Sequence, residues 1–195
     1  MIVLTVAGEK HWEFEKRCNV PKDIRHWFMK DNGSGKHHWL NLAVSVLKDN
    51  AIVALLDADD IATPEMFNPE RLKYLEEYDL IYGDYERFGA KTGVYKSREF
   101  DKELLKSENF IPYSTIITKA WLLKKELYPD EGKCSDWIYL HKLLKHTDKF
   151  KYVPGIVCKY DTSNSYFTSN IPVWRKIKRL TENWIAKQKI KRIWS

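Results

Sequence analysis

The chain has 195 residues, 44% of them hydrophobic and 14% aromatic, enough for one domain with a real core and too apolar for a disordered segment. No run approaches the length of apolar residues that spans a bilayer, and the apolar start Met1–Ala7 lacks a basic leader, so it reads as a strand rather than a signal peptide. Net charge is +6, yet the stretch 172–195 carries eight basic residues against Glu182 alone, so +7 sits in the tail and −1 in the rest.

Cys18, Cys134 and Cys158 are odd in number and far apart. They suggest no disulfide framework and no zinc ribbon, and they favour a reducing compartment.

In chain order, residues 2–6 predict a buried strand, 9–18 a short helix and 26–29 a second strand running into the turn Lys30-Asp31-Asn32-Gly33-Ser34-Gly35. Trp39, Leu42, Ala43, Val46 and Leu47 give one apolar helical face. Ala51–Leu56 is an unbroken apolar run, as in a parallel strand covered on both faces, and it stops at Asp57-Ala58-Asp59-Asp60. Thr63-Pro64 and Asn68-Pro69 are helix starts, the second helix reaching about Tyr78. Residues 80–88 pair with Val94-Tyr95 around Gly89–Gly93. A short strand at 114–118 feeds a helix through Trp121, Leu122 and Leu123. Residues 135–146 predict another helix, 153–160 a last strand and 162–170 a polar loop. The expected architecture is a three-layer α/β/α sandwich on a mainly parallel sheet, with ligands outside the carboxyl ends of the strands. The expected division is a catalytic domain over 1–171 and a basic amphipathic helix over 172–195.

Three carboxylates after a hydrophobic strand need compensation. Either a hard cation such as Mg²⁺ or Mn²⁺ shares them with substrate phosphates, or they form a solvated turn that caps the next helix. Gly33-Ser34-Gly35-Lys36 is half of a phosphate loop, and His37 stands where a hydroxyl residue is required, so an ATPase is rejected. The glycine turn still places Lys36 near a ligand. His37, His38, His141 and His146 are spaced wrongly for a shared metal and are expected at the surface.

The segment "AIVALLDADDIATPEMF" (51–67) resembles the metal-binding stretch of family 2 glycosyltransferases, which have the GT-A nucleotide-sugar fold. "WFMKDNGSG" (27–35), "IVLTVAG" (2–8), "YSTIITKAWLLKK" (113–125), "DEGKCSDWIYLHKLLKH" (130–146) and "YVPGIVCKYDTSNS" (152–165) resemble further segments of that family in the same order. The family's acid pair is reduced here to Asp31-Asn32, and Ser135 precedes Asp136. The resemblance implies an inverting, metal-dependent transfer of a sugar from a nucleotide-diphospho-sugar, a UDP-sugar favoured, to a hydroxyl of a glycan or lipid-linked acceptor. It implies Asp31 near the nucleoside, Asp57 near the ribose or sugar, Asp59 on Mn²⁺ or Mg²⁺ and Asp136 as the base that deprotonates the acceptor. Trp137, beside Asp136, is a candidate for the acceptor pocket, and Tyr82 for the rim of the site. A nucleotidyltransferase would want the same acids and metal. A non-catalytic nucleic-acid or partner-binding module would rest on the basic tail alone and is disfavoured by the near-neutral body.

In the tail, Trp174, Ile177, Leu180, Thr181, Trp184, Ile185 and Gln188 share one sector of a helical wheel that Arg175, Lys176, Lys178, Arg179 and Lys187 avoid, and the pattern fails after Gln188. Such a helix suits an anionic membrane surface, docking on its own domain or a homodimer. The expected location is cytoplasmic, at the inner face of a membrane if the tail is interfacial.

Overall fold

A strand that is apolar at every position must be covered on both sides, and β1 (Ile2–Ala7) is buried throughout. The computed structural model describes residues 1–130, 134–163 and 173–195, the side chains of 173–177 and 179 apart. β1 pairs in parallel with β2 (Arg25–Lys30) on one side and β3 (Ile52–Leu55) on the other. Between β1 and β2 the chain makes two 3-10 turns, Glu9–His11 and Glu15–Cys18, in place of the expected helix. Helix α1 (Lys36–Ser45) joins β2 to β3.

After β3 come β4 (Ile61–Ala62), a 3-10 turn at Pro64–Phe67, α2 (Pro69–Leu72) and a second turn at Lys73–Glu76. Asn68 caps α2 by accepting from the Glu70 N–H. Thr63 does not cap its turn, because its hydroxyl donates to the Ile156 carbonyl. β5 (Leu80–Phe88) folds back on β6 (Gly93–Tyr95) as expected. There follow α3 (Lys102–Ser107), β7 (Ile117–Lys119), α4 (Ala120–Leu123), α5 (Ser135–Leu143), β8 (Phe150–Asp161) and α6 (Val173–Trp194). The expected polar loop lies mostly outside the described residues.

The sheet runs β2-β1-β3-β7-β5-β8-β4, with β6 added on β5. It is mixed. β1–β2, β1–β3 and β5–β8 are parallel, but β7 enters between β3 and β5 running against both, and β4–β8 and β5–β6 are antiparallel. The result is a mixed α/β fold with a curled, half-barrel sheet in a general Rossmann-like arrangement. Successive strand residues face opposite sides. Leu4, Val53 and Leu55 join a core with Leu40 of α1, Leu105 of α3, Leu122 of α4, Leu140 of α5 and Ile190 of α6. Val3 and Ala54 join a second core with Met66, Leu75 and Val157. The helices therefore crowd one face, and short turns cover the other.

α6 packs on α5 and α3 through Ala186, Ile190, Ile193 and Trp194. Trp194 Nε1 donates to His141 Nδ1 at 3.1 Å, and the Lys102 ammonium lies 4.3 Å from the Trp194 ring centre. These residues are outside the sector that the wheel marks as apolar. His141 is correspondingly no surface residue: it is fully buried, its Nε2 bonded to the Leu105 carbonyl. Among the described residues no helix is long and apolar enough to cross a membrane.

Candidate functional site

The carboxyl ends of β2, β1 and β3 lie side by side, because the Asp31 N–H after β2 donates to the Ala7 carbonyl and the Leu56 N–H after β3 to the Leu4 carbonyl. The loops leaving these strands enclose a cleft of about 320 Å³ lined by Lys36, Asp57, Tyr113, Tyr128, Asp136 and Tyr160, with His37 and Asp130 also on its wall.

The turn before α1 is built around one oxygen. Asp31 Oδ1 accepts from the Gly33 N–H, the Gly35 N–H and Trp39 Nε1, at 3.0, 3.0 and 3.1 Å. Gly35 has φ +86°, and a β-carbon there would stand 2.8 Å from the His37 ring, so glycine is required. This turn delivers Lys36 to the cleft. Its Nζ bonds Asp57 Oδ1 at 2.5 Å and lies 3.4 Å from the centre of the Tyr113 ring. Burial is the largest influence on Lys36 and would lower its pKa. The Asp57 charge and hydrogen bond, with lesser help from Tyr128 and Asp136, outweigh it, so the lysine is held above its usual value and stays charged.

The three acids after β3 have three environments. Asp60 is buried and structural: Oδ2 accepts from the Ser114 hydroxyl and Oδ1 from the Asp161 N–H at 2.9 Å. Ser114 Oγ in turn accepts from the Asp57 N–H at 3.0 Å, so a chain of bonds fastens the acidic loop to the end of β8. Asp57 faces the cleft and pairs with Lys36. Asp59 is half-buried and outside the cleft lining; burial first, and the charge of Asp57 second, raise its pKa. Nearby, Arg17 and Asp161 form an ion pair that ties the first loop to β8.

Asp136 enters from the first turn of α5 and accepts from Asn109 Nδ2 at 3.1 Å. Burial raises its pKa, the Trp137 N–H, Lys36 and Asn109 partly offset that, and Asp57 adds to it. Such a carboxylate is a stronger base than a solvated one.

Of the residues singled out in the sequence, Lys36, Asp57 and Asp136 come together in the cleft. Asp31 and Asp59 do not line it. Two expectations are corrected. Tyr82 is fully buried with its hydroxyl donating to the Arg98 carbonyl at 2.8 Å, so it does not rim the site. Trp137 is 4% exposed and its Nε1 donates to the Leu105 carbonyl, because a residue next to Asp136 on a helix points about 100° away from it. Sequence reasoning missed Tyr113, Tyr128, Tyr160, Ser114 and Asn109. Among the described residues the buried Tyr113 hydroxyl at the cleft wall has no hydrogen-bond partner, the kind of group a ligand completes.

Among the described residues no group of three or more His, Cys, Asp or Glu converges as a metal set. Mg²⁺ and Mn²⁺ often take only one or two carboxylates and complete their shell with water and substrate phosphates. Asp57 faces the cleft, and its charge reaches Asp59, whose side chain lies outside the cleft lining.

Fold and site together define a mixed α/β protein with a charged cleft at the strand ends, where such folds bind ligands. No family model matches the chain. An uncharacterized glycosyltransferase of Methanocaldococcus jannaschii is 27% identical over 178 residues; the match takes in 84% of this chain and 60% of that one. Among solved structures, A197 from STIV superposes with a TM-score of 0.45 at 17% identity, over 79% of this chain and 82% of that one. The inositol-1-phosphate CTP transferase from T. maritima also gives a TM-score of 0.45, at 11% identity over 97% and 77% of the two chains.

Proposed function

We propose that the protein is a nucleotide-dependent transferase whose cleft holds a phosphate-bearing donor against Lys36 and an acceptor hydroxyl against Asp136. The observation that carries this reading is the meeting of a charged lysine and a carboxylate of raised pKa in one cleft at the strand ends. Lys36 offsets charge on the donor's phosphates as the leaving group departs. Asp136 takes the proton of the acceptor hydroxyl, whose oxygen then attacks. Tyr113 and Tyr128 form the apolar wall beneath Lys36. A divalent cation held by Asp57 and Asp59 would supply the remaining charge compensation.

Two finer versions use these residues. In sugar transfer, the acceptor oxygen attacks the anomeric carbon of a nucleotide-diphospho-sugar, the carbon–oxygen bond to the diphosphate breaks with inversion, and the nucleoside diphosphate leaves with the electron pair. The name of the Methanocaldococcus relative and the ordered segment resemblance favour it. In nucleotidyl transfer, the acceptor oxygen attacks the α-phosphorus of a nucleoside triphosphate and pyrophosphate leaves. The Lys36–Asp57 pair favours it, since a lysine already seated at the acidic loop can meet a polyphosphate as it enters.

Thermal-shift titration separates the versions. UDP-sugars, other nucleotide-diphospho-sugars and nucleoside triphosphates are compared, each with and without Mn²⁺. A ligand at 100 times its Kd stabilises by about 2.7 kcal/mol, roughly a 5–10 °C shift for a chain of this size. Stabilisation by diphospho-sugars supports sugar transfer, and stabilisation by triphosphates supports nucleotidyl transfer. Either shift should vanish in Lys36→Met. No shift with any nucleotide, or a full shift retained in Lys36→Met, overturns the proposal.

A further inference from the structure

The tail helix has two usable faces, and only one is spent on the domain. At about 100° per residue, with Leu180 as zero, the docked residues Ala186, Ile190, Ile193 and Trp194 fall between about 220° and 320°. Leu180, Trp184 and Ile185 fall between about 0° and 140° on the same count, and they are 68%, 62% and 41% exposed. The exposed cations Lys178, Lys187, Lys191 and Arg192 lie within or just beside that second sector.

We propose that this outer face of α6 lays the protein on an anionic lipid surface, with Leu180, Trp184 and Ile185 entering the headgroup boundary and the four cations meeting anionic headgroups. A tryptophan between aliphatic side chains and ringed by lysine and arginine is the composition of an interfacial helix. The domain is not the occupant, because it takes the opposite face. A second copy on this face is disfavoured by charge. A two-fold contact sets the same patch against itself and brings four cations of one copy onto four of the other, with Glu182 as the tail's lone acid.

The placement relative to the cleft is also defined. Asn183 lies beside Cys134, at 3.5 Å, and Trp194 beside His141, so α6 runs alongside α5 in the same sense. Lys178 and Leu180 therefore lie toward the end of α5 that carries Asp136. Resting on the transferase reading, this brings a lipid-borne acceptor to the base; the lipid contact itself does not depend on that reading.

The test is co-sedimentation of the full chain with vesicles of phosphatidylcholine alone and of phosphatidylcholine with phosphatidylglycerol. Binding is expected only with phosphatidylglycerol, weaker at raised salt, and weaker by about fivefold for each of Lys187→Gln and Lys191→Gln. The pair Leu180→Glu with Trp184→Glu should abolish it while leaving the circular dichroism and melting temperature of the parent, since both side chains are exposed. Failure of the parent to bind phosphatidylglycerol vesicles overturns the proposal, as does equal binding by the double variant. A parent dimer in light scattering that Trp184→Glu splits into monomers overturns it too, because a second copy would then occupy the face.

Discussion

Ser114→Ala tests the bonds that hold the acidic loop. Ser114 is 1% exposed, donates to Asp60 Oδ2 and accepts from the Asp57 N–H. Removing its hydroxyl takes a donor from a buried carboxyl group and strands a backbone N–H. A buried polar group left without its partner costs about 1–3 kcal/mol. The Asp57 end is half-buried and recovers part of its loss from water, so the variant should lose about 2–3 kcal/mol in all. For a chain of this length that is a fall in Tm of roughly 4–12 °C. The assay is thermal and urea unfolding at neutral pH, with Ser114→Ala measured in the parent and in Asp60→Asn. Because the pair acts as a unit, the serine change should cost at least about 0.5 kcal/mol less in the Asp60→Asn background. A loss below about 1 kcal/mol in the parent, or strict additivity in the double variant, would refute the reasoning.

Three shorter predictions follow from other contacts. Asp136 must be unprotonated to act as a base, and its raised pKa puts the fall in kcat/KM with decreasing pH above the ordinary carboxylate range. Asn109→Ala removes a donor that favours the charged form, so that limb should move to still higher pH, and Asp136→Asn should abolish turnover; a limb unmoved in Asn109→Ala counts against Asp136 as the base. Trp194→Ala leaves His141 Nδ1 without its donor and uncovers Ile190, which should cost about 2 kcal/mol for a half-buried tryptophan and lower Tm by about 4–8 °C in a differential scanning measurement. Gly155→Ala, at φ +129°, would bring a β-carbon within 2.7 Å of Arg71 Nη2, the buried guanidinium that bonds the Val153 and Pro154 carbonyls, and urea unfolding should show a loss of about 1–3 kcal/mol.

The strands that flank the site were legible because each is fixed by a local signal. Ile2–Ala7 and Ile52–Leu55 are unbroken apolar runs, and the Asp31–Gly35 turn announces itself by composition. Strand direction was not legible, since nothing in Ile117–Lys119 says that it will run against both neighbours. Helix Lys102–Ser107 had a readable start, Asp101 accepting from the Leu104 N–H, but six residues are too few for a periodicity to show. In the site, Lys36 and Asp57 were found through charge and position, and Asp136 through the family resemblance. Tyr113 and Tyr128 were not, because an aromatic becomes a wall of the cleft only when three distant segments meet. The tail misled in an instructive way: its wheel shows the exposed apolar face correctly as a face, but the residues that dock are those the wheel leaves out.

Charge inside the cleft bears on the ligand more directly than the net charge of the chain. Among the described lining residues Lys36 is the lysine or arginine, and it is already paired with Asp57; Asp136 stands in the same space and Asp130 on the rim. A diphosphate entering on its own would bring negative charge beside Asp57 and Asp136 in a site where burial already penalises charge, as the raised pKa of Asp136 registers. Two responses lower that cost: Lys36 turns from Asp57 to the phosphates, or a divalent ion enters with them and takes Asp57 as a ligand. Both free or re-use the same carboxylate, so Asp57 is the residue on which donor binding and cation binding must compete or cooperate. Asp57→Asn therefore separates them: it should leave Lys36 available to phosphate while weakening any metal-dependent part of donor affinity.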